Sequence, residues 1–191
     1  MNICLYGASS NDIDPAFLSA GEGLGREMAA RGHTLVFGGG ADGMMGSAAR
    51  GVSAGGGTVV GIAPSFFNVN DILYKKCTEL ILTETMRERK QLMEEKSDAF
   101  LMTPGGIGTM EEFFEILTLK QLGRHHKPIA VLNLGHYYDD MEKMLQKAVD
   151  GGFMRPECMK IFSFCDTPAA ALDALEYEAA HPADVRHLKN L

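Results

Sequence analysis

Apolar residues along the chain gather in short runs that begin near Ile3, Thr34, Thr58, Glu79, Asp98, Pro128 and Ile161, and between the runs they recur at helical spacing. Seven strands interleaved with helices predict a parallel sheet, because parallel neighbours need a crossover and the crossover is usually a helix. Residues 2–6, 34–37 and 99–103 are nearly continuous in hydrophobicity, as strands covered on both faces tend to be. The predicted class is therefore α/β: an open parallel sheet of about seven strands with helices on both faces.

The spacing predicts helices over residues 15–31, 44–55, 86–96, 109–122, 137–151 and 168–179. Pro15 and Pro168 sit where a first-turn proline is tolerated, with Asp14 and Thr167 before them as caps. The connection from Pro64 to Cys77 lacks periodicity, and Phe66, Phe67 and Tyr74 make it a packed surface loop rather than a linker. No composition break or repeat marks a boundary, so residues 1–180 read as one domain. A weakly ordered tail is expected at 181–191.

Composition narrows the class further. A chain of 191 residues suits one domain, at roughly 100–200 residues each, and buries a core without disulfide or metal staples. No apolar run approaches the roughly 18 residues of a membrane span, and the start at Met1 lacks the pattern of a signal peptide, so a cytoplasmic protein with no membrane partner is expected. Against 18 basic residues stand 25 acidic ones, a net charge of −7 that disfavours nucleic acid as a partner. Cys4, Cys77, Cys158 and Cys165 form no C-x-x-C pair and read as reduced thiols. The six histidines show no ligand spacing, and no metal is expected.

In an open parallel sheet the ligand crevice lies at the carboxyl ends of the strands. Three loops predicted there are rich in small residues: Gly7 to Ser10, Gly38 to Gly46, and Pro104 to Thr109. Glycine lets a ligand approach backbone N–H groups, and a helix that starts at once adds free donors and the positive end of its dipole. Phosphate is the natural guest. Candidate contacts are Ser9, Gly39, Gly40, Gly43 and Met45 in the first two loops, and Gly105, Gly106, Ile107, Gly108 and Thr109 in the third. Gly38-x-Gly40-x-x-Gly43 also matches the dinucleotide fingerprint, yet it follows the second strand and no acidic residue lies about 20 positions on to hold a ribose. No G-x-x-x-x-G-K-[S/T] occurs either, and no cofactor is expected. Tight strand-to-helix packing is the alternative use of the second loop.

At the third loop, Thr109 and Glu112 fit the capping box T-x-x-E, a purely structural reason for both residues. On its own, Met86-Arg87-Glu88-Arg89-Lys90 reads as an exposed, charged helix start, and Tyr137 and Tyr138 read as core or interface aromatics.

Taken together, these segments resemble the Lonely Guy family, the cytokinin riboside 5′-monophosphate phosphoribohydrolases once labelled lysine decarboxylases. The family signature P-G-G-x-G-T-x-x-E is intact from Pro104 to Glu112. Its M-H-x-R-K motif appears as Met86 to Lys90, with Arg87 in place of histidine, and Gly38 to Gly46 is similar to its G-G-G-x-x-G-L-M-G, with Met44 for leucine. Gln121-Leu122-Gly123, Lys127-Pro128, Tyr137-Tyr138 and Gly152-Phe153 also sit where the family has similar residues, so the resemblance runs from Ile3 to about Leu175.

The resemblance implies a Rossmann-like fold and hydrolysis of the N-glycosidic bond of a purine nucleoside 5′-monophosphate, AMP or its prenylated form, to free base and ribose 5-phosphate. It implies Arg89 and Glu112 as the catalytic pair, with Lys90, Gly106, Gly108, Thr109 and Thr118 lining the substrate. The chemistry is compatible: cleavage builds positive charge on the ribose, which a carboxylate stabilises, or it orients water. The phosphate needs N–H donors and a guanidinium; Arg89 either supplies the latter or orients Glu112. Arg87 at the histidine position leaves the proton donor to the base unassigned. The base pocket is expected to take its wall from the Phe66 to Tyr74 connection and a neighbouring subunit.

A homodimer is expected from the resemblance and from Phe113, Phe114, Ile116, Leu117 and Leu119, which cover more than one face of their helix. The alternative function is a non-catalytic carrier of a phosphorylated ligand, as in molybdenum-cofactor carriers of similar fold. Retention of both Arg89 and Glu112 favours the enzyme.

Overall fold

Alternating sides of every inner strand are apolar because both faces of the sheet are covered. In the computed structural model, which describes residues 1–67, 72–183, 185 and 188, β1 (Asn2–Tyr6), β2 (Thr34–Phe37), β3 (Val59–Pro64), β4 (Glu79–Thr83), β5 (Ala99–Met102), β6 (Ile129–Leu132) and β7 (Ser163–Cys165) form one sheet. Its order is β4-β3-β2-β1-β5-β6-β7, and every pairing is parallel. The helices are α1 (Pro15–Ala30), α2 (Gly43–Ala54), α3 (Met86–Glu95), α4 (Ile107–Gln121), α5 (Asp139–Asp150) and α6 (Pro168–Ala180). This is the expected open α/β sheet.

Strand β1 shows how the layers are divided. Ile3 and Leu5 join a core with Leu24 and Met28 of α1, Val52 of α2 and Leu172 of α6. Cys4 and Tyr6 point the other way, toward Met93 of α3, Phe113 of α4 and Met141 of α5. Among the described residues, edge strand β4 pairs only with β3, and it leaves Leu80 and Leu82 exposed. The expected proline starts hold, with Asp14 accepting from Ala16 N at 2.8 Å and Thr167 accepting from Ala170 N at 3.2 Å.

Two helix starts move by two residues, and α2 begins at Gly43 rather than Met44. Helix α4 begins at Ile107 rather than Thr109, because Gly106 adopts the extended backbone of an N-cap. Helix α5 begins at Asp139, after a short 3₁₀ turn at Leu134–His136. Most of the predicted tail at 181–191 lies outside the described residues; Val185 and Leu188 are buried against the α3-α4-α5 layer. No helix among the described residues is long and apolar enough to cross a membrane. The four cysteines are free thiols, with Cys4, Cys158 and Cys165 buried.

Candidate active site

The sheet order reverses between β1 and β5, and the three glycine-rich loops converge there. Ala8 N donates to Pro104 O at 3.0 Å, which ties the loop after β1 to the loop after β5. On its other side Ala8 O accepts from Met45 N at 3.3 Å, and Asn11 Oδ1 accepts from Gly43 N at 2.9 Å. Two first-turn donors of α2, Gly43 N and Met45 N, are thereby consumed inside the protein. Gly43 has φ +63° and is packed so tightly that a Cβ would run into the Ala8 carbonyl. The loop after β2 is thus largely a packing device, the alternative use of that loop. Gly38, Gly40 and Met45 face the cleft, whereas Gly39 and Gly43 do not line it.

Helix α4 behaves differently. Gly106 is its N-cap and supplies no side-chain acceptor, and the first helical bond is Met110 N to Gly106 O at 3.1 Å. Ile107, Gly108 and Thr109 sit in this uncapped first turn and line the cleft, where α4 offers N–H donors and the positive end of its dipole. The capping box expected at Thr109 and Glu112 does not form, since Thr109 already lies inside the helix. A box with the same T-x-x-E spacing forms at α3, where Thr85 Oγ1 accepts from Glu88 N at 3.2 Å and Glu88 Oε2 accepts from Thr85 N at 3.3 Å. Glu112 is left without a capping duty.

Glu112 projects from α4 into the cleft opposite Arg89 of α3. Arg89 is 7% exposed, so the exposed helix start read from Met86 to Lys90 is corrected at this residue. Its Nε donates to Ile62 O at the end of β3, 3.2 Å away. Its Nη2 lies 3.6 Å from Glu112 Oε1. Gly38 makes room for the guanidinium, since a Cβ there would strike Nη2. Burial pushes the Glu112 carboxyl up to about 7, against the opposing pull of Arg89. A carboxyl poised near neutrality in a cleft is the arrangement expected of a group that handles charge or protons.

The cleft has a volume of about 510 Å³, within the ~300–1,000 Å³ typical of small-molecule sites. Its outer wall is Phe67, Ile72 and Leu73, held against the β2 loop by Ala41 N to Ile72 O at 2.9 Å and Tyr74 N to Gly39 O at 2.8 Å. These belong to the connection expected to wall the base pocket; residues 68–71 of it lie outside the described residues.

Ser9, Gly106, Ile107, Gly108 and Thr109 all line the cleft. Lys90 and Thr118 do not. Lys90 faces away from the cleft and pairs with Glu111 at 2.6 Å and Glu115 at 2.7 Å. Thr118 is exposed farther along α4. Arg87 flanks the same hollow as Lys90, outside the cleft. Gly105 stands behind the α4 terminus, where Tyr137 Oη donates to its carbonyl at 2.9 Å. Tyr138, buried, donates from Oη to Thr103 O at 2.9 Å, and its backbone N donates to Asn133 Oδ1 at 2.7 Å. Sequence reasoning placed these tyrosines in packing and missed their bonds to the signature turn, because nothing in a Tyr-Tyr pair states which carbonyls it meets. Among the described residues no group of three or more His, Cys, Asp or Glu side chains is gathered as a metal site.

The family model described as "possible lysine decarboxylase" matches residues 45–175. A probable cytokinin riboside 5′-monophosphate phosphoribohydrolase of Oryza sativa subsp. japonica is 37% identical over 187 residues, covering 98% of this chain and 76% of that protein. A cytokinin riboside 5′-monophosphate phosphoribohydrolase of Arabidopsis thaliana is 36% identical over 180 residues, covering 94% of this chain and 84% of that protein. Among solved structures, the molybdenum cofactor binding protein of Rippkaea orientalis superposes with a TM-score of 0.71 at 21% identity, covering 92% of this chain and 95% of that one. The last likeness is one of fold.

Proposed function

Because this chain belongs to the Lonely Guy family, matching its model over residues 45–175 and its curated phosphoribohydrolases over most of their length, we propose that it hydrolyses the N-glycosidic bond of a purine nucleoside 5′-monophosphate, AMP or a cytokinin-type nucleotide. The observation that carries this reading is the pairing of a largely buried carboxyl, Glu112, with an uncapped helix N-terminus in one cleft. The phosphate binds the N–H groups of Ile107, Gly108 and Thr109, and its binding energy positions the ribose. Ionised Glu112 faces C1′ as the C–N bond breaks, the electron pair leaves with the base, and positive charge develops on the ribose. Water adds to C1′, and its proton balances the charge on the departing base. Arg89 keeps Glu112 oriented and in part ionised. The carrier reading rests on fold likeness alone and leaves the Arg89–Glu112 pair without a task.

The test is incubation with AMP, prenylated AMP and adenosine, with detection of free base. Release from a nucleotide with kcat/KM far above that for adenosine is expected. Equal values for nucleotide and nucleoside would overturn the reading.

A homodimer with the cleft near its interface belongs to the same proposal, on grounds other than those offered by α4. Phe113, Ile116 and Leu117 are buried within the subunit. Exposed apolar side chains stand at the cleft instead: Ile107, 89% exposed, and Ile72 line it, and Phe66 and Met86, next in sequence to the lining Phe67 and on the first turn of α3 respectively, are also exposed. A monomeric mass by sedimentation at micromolar concentration would reject the dimer. The free thiols suit a reducing compartment, and the cytoplasm is the proposed location.

A further inference from the structure

The crevice has a second lobe that hydrolysis of a mononucleotide leaves unused. On the far side of the loop after β1, a hollow of about 330 Å³ opens between the loops that follow β1, β5 and β6. It shares Ala8, Ser9 and Gly106 with the active-site cleft, so the two lobes meet at the N-terminus of α4. One lobe lies over the β1-β2-β3 half of the sheet and the other over β5 and β6, on either side of the reversal in strand order. Crevices at such reversals are where open α/β sheets bind their ligands, dinucleotides among them.

The walls of the two lobes differ in chemistry. The first holds Arg89 and Glu112. Among the described residues that line the second there is no charged side chain; its sides are Ile13, Phe17 and Tyr137. The Phe17 and Tyr137 rings meet edge to face with centroids 6.1 Å apart and planes at 76°. The hydroxyl of Tyr137 is already spent on Gly105 O, so this residue offers the lobe its ring. Aromatic and aliphatic walls around a gap of this size suit a planar, uncharged group.

We propose that this lobe is a subsite for a planar ring joined to the nucleotide through its phosphate, so that the crevice accepts a dinucleotide with its phosphates at the α4 N-terminus. The inference rests on the hydrolase reading above. With phosphate at residues 107–109 and C1′ beside Glu112, sugar and base fill the first lobe against Met45 and Leu73. A group in the second lobe then lies on the opposite side of the phosphate and hangs from it. A substituent on the base points away from the phosphate and does not reach the second lobe. The phosphates meet the helix donors and the Ser9 hydroxyl at the junction.

Calorimetric titration of the slow Glu112→Gln variant with AMP, ADP and diadenosine diphosphate separates the contributions without appreciable turnover, because ADP carries the second phosphate without the second ring. The dinucleotide is expected to bind at least 10-fold more tightly than ADP. In that protein Phe17→Ala, and independently Ile13→Ala, should erase most of that difference while AMP affinity and melting temperature stay as in the parent. Equal affinity for ADP and the dinucleotide overturns the proposal, as does a gain that both variants leave intact. Weakened binding of prenylated AMP by Phe17→Ala, with the dinucleotide unaffected, would assign the lobe to the base instead and overturn it too. Failure of AMP itself to bind would be a failure of the hydrolase reading, and the subsite would fall with it.

Discussion

Arg89 Nη2 stands 3.6 Å from Glu112 Oε1, near enough to attract the carboxylate and too far to hydrogen-bond it. The arginine is held at that distance by its own bond to Ile62 O. Attraction without a bond is why burial prevails and the Glu112 carboxyl titrates near 7 rather than below its ordinary range. The pair is poised between charge states, which neither an exposed ion pair nor a tight buried one would be.

That balance predicts opposite effects of Glu112→Gln on turnover and stability. The folded-state pKa, about 7, is above the ordinary value of 4.5, so between those pH values the folded protein binds more protons than the unfolded one. Stability therefore falls from pH 4.5 to 7 and the penalty is complete above 7. Glutamine removes it. The variant should match wild type near pH 4.5 and be more stable at pH 8, by at most about 3 kcal/mol. Turnover should drop roughly 100-fold or more. Melting curves at both pH values, beside base-release assays, check the two together; a variant that keeps wild-type turnover excludes Glu112 from the chemistry.

The same titration should appear in the kinetics. If ionised Glu112 stabilises the ribosyl cation, kcat/KM for AMP should rise with pH through a midpoint near 7 and then level off. The residual activity of Glu112→Gln should lack that limb. A wild-type rate that instead declines above pH 7 would make the protonated carboxyl the working form and reverse its assigned role.

Arg89→Ala should lose both activity and stability. The side chain is buried, and its removal leaves Ile62 O and Glu112 without their cation, at a cost of order 1–3 kcal/mol. Arg89→Lys keeps the charge but cannot serve Ile62 O and Glu112 in the same planar geometry. It should regain more stability than turnover, read from melting temperature against kcat.

Much of this was legible in the sequence where local chemistry decides it. The continuous apolar runs of β1, β2 and β5 announced a doubly covered parallel sheet, and Asp14-Pro15 and Thr167-Pro168 announced two helix starts. What sequence could not resolve were choices between equivalent local patterns. Thr85 and Thr109 both stand three residues before a glutamate, and only the backbone at Gly106 decides that the second is inside its helix. Arg89 looks like any charged residue of a polar helix until β3 and Gly38 close around it. The split between Lys90, turned to Glu111 and Glu115, and its neighbour Arg89, turned into the cleft, is a matter of helix rotation against the sheet.

Lys120 provides a control remote from the cleft. It is fully buried and pairs with Glu178, joining α4 to α6, and Ile129 N donates to the other oxygen of Glu178 at 3.4 Å. Lys120→Met leaves that carboxylate without its cation and should cost about 3–5 kcal/mol. Lys120→Met with Glu178→Gln should recover part of the loss. Chemical denaturation measures both, and kcat per folded molecule should not change.

The tyrosines test whether the α4 terminus must be held in place to work. Tyr138 Oη bonds Thr103 O and Tyr137 Oη bonds Gly105 O, so two hydroxyls grip the turn that leads into Gly106. Tyr138→Phe strands a buried carbonyl and should cost roughly 1–3 kcal/mol. Tyr137→Phe, partly exposed, lets water replace the lost donor and should cost about 1 kcal/mol or less. Both free the turn that aims the phosphate donors, so both should raise KM for AMP severalfold. The small activity on adenosine, which has no phosphate to aim, should stay the same. A packing role alone would lower the melting temperature of Tyr138→Phe and leave KM for AMP unchanged in both variants; that result would detach the tyrosines from the phosphate site.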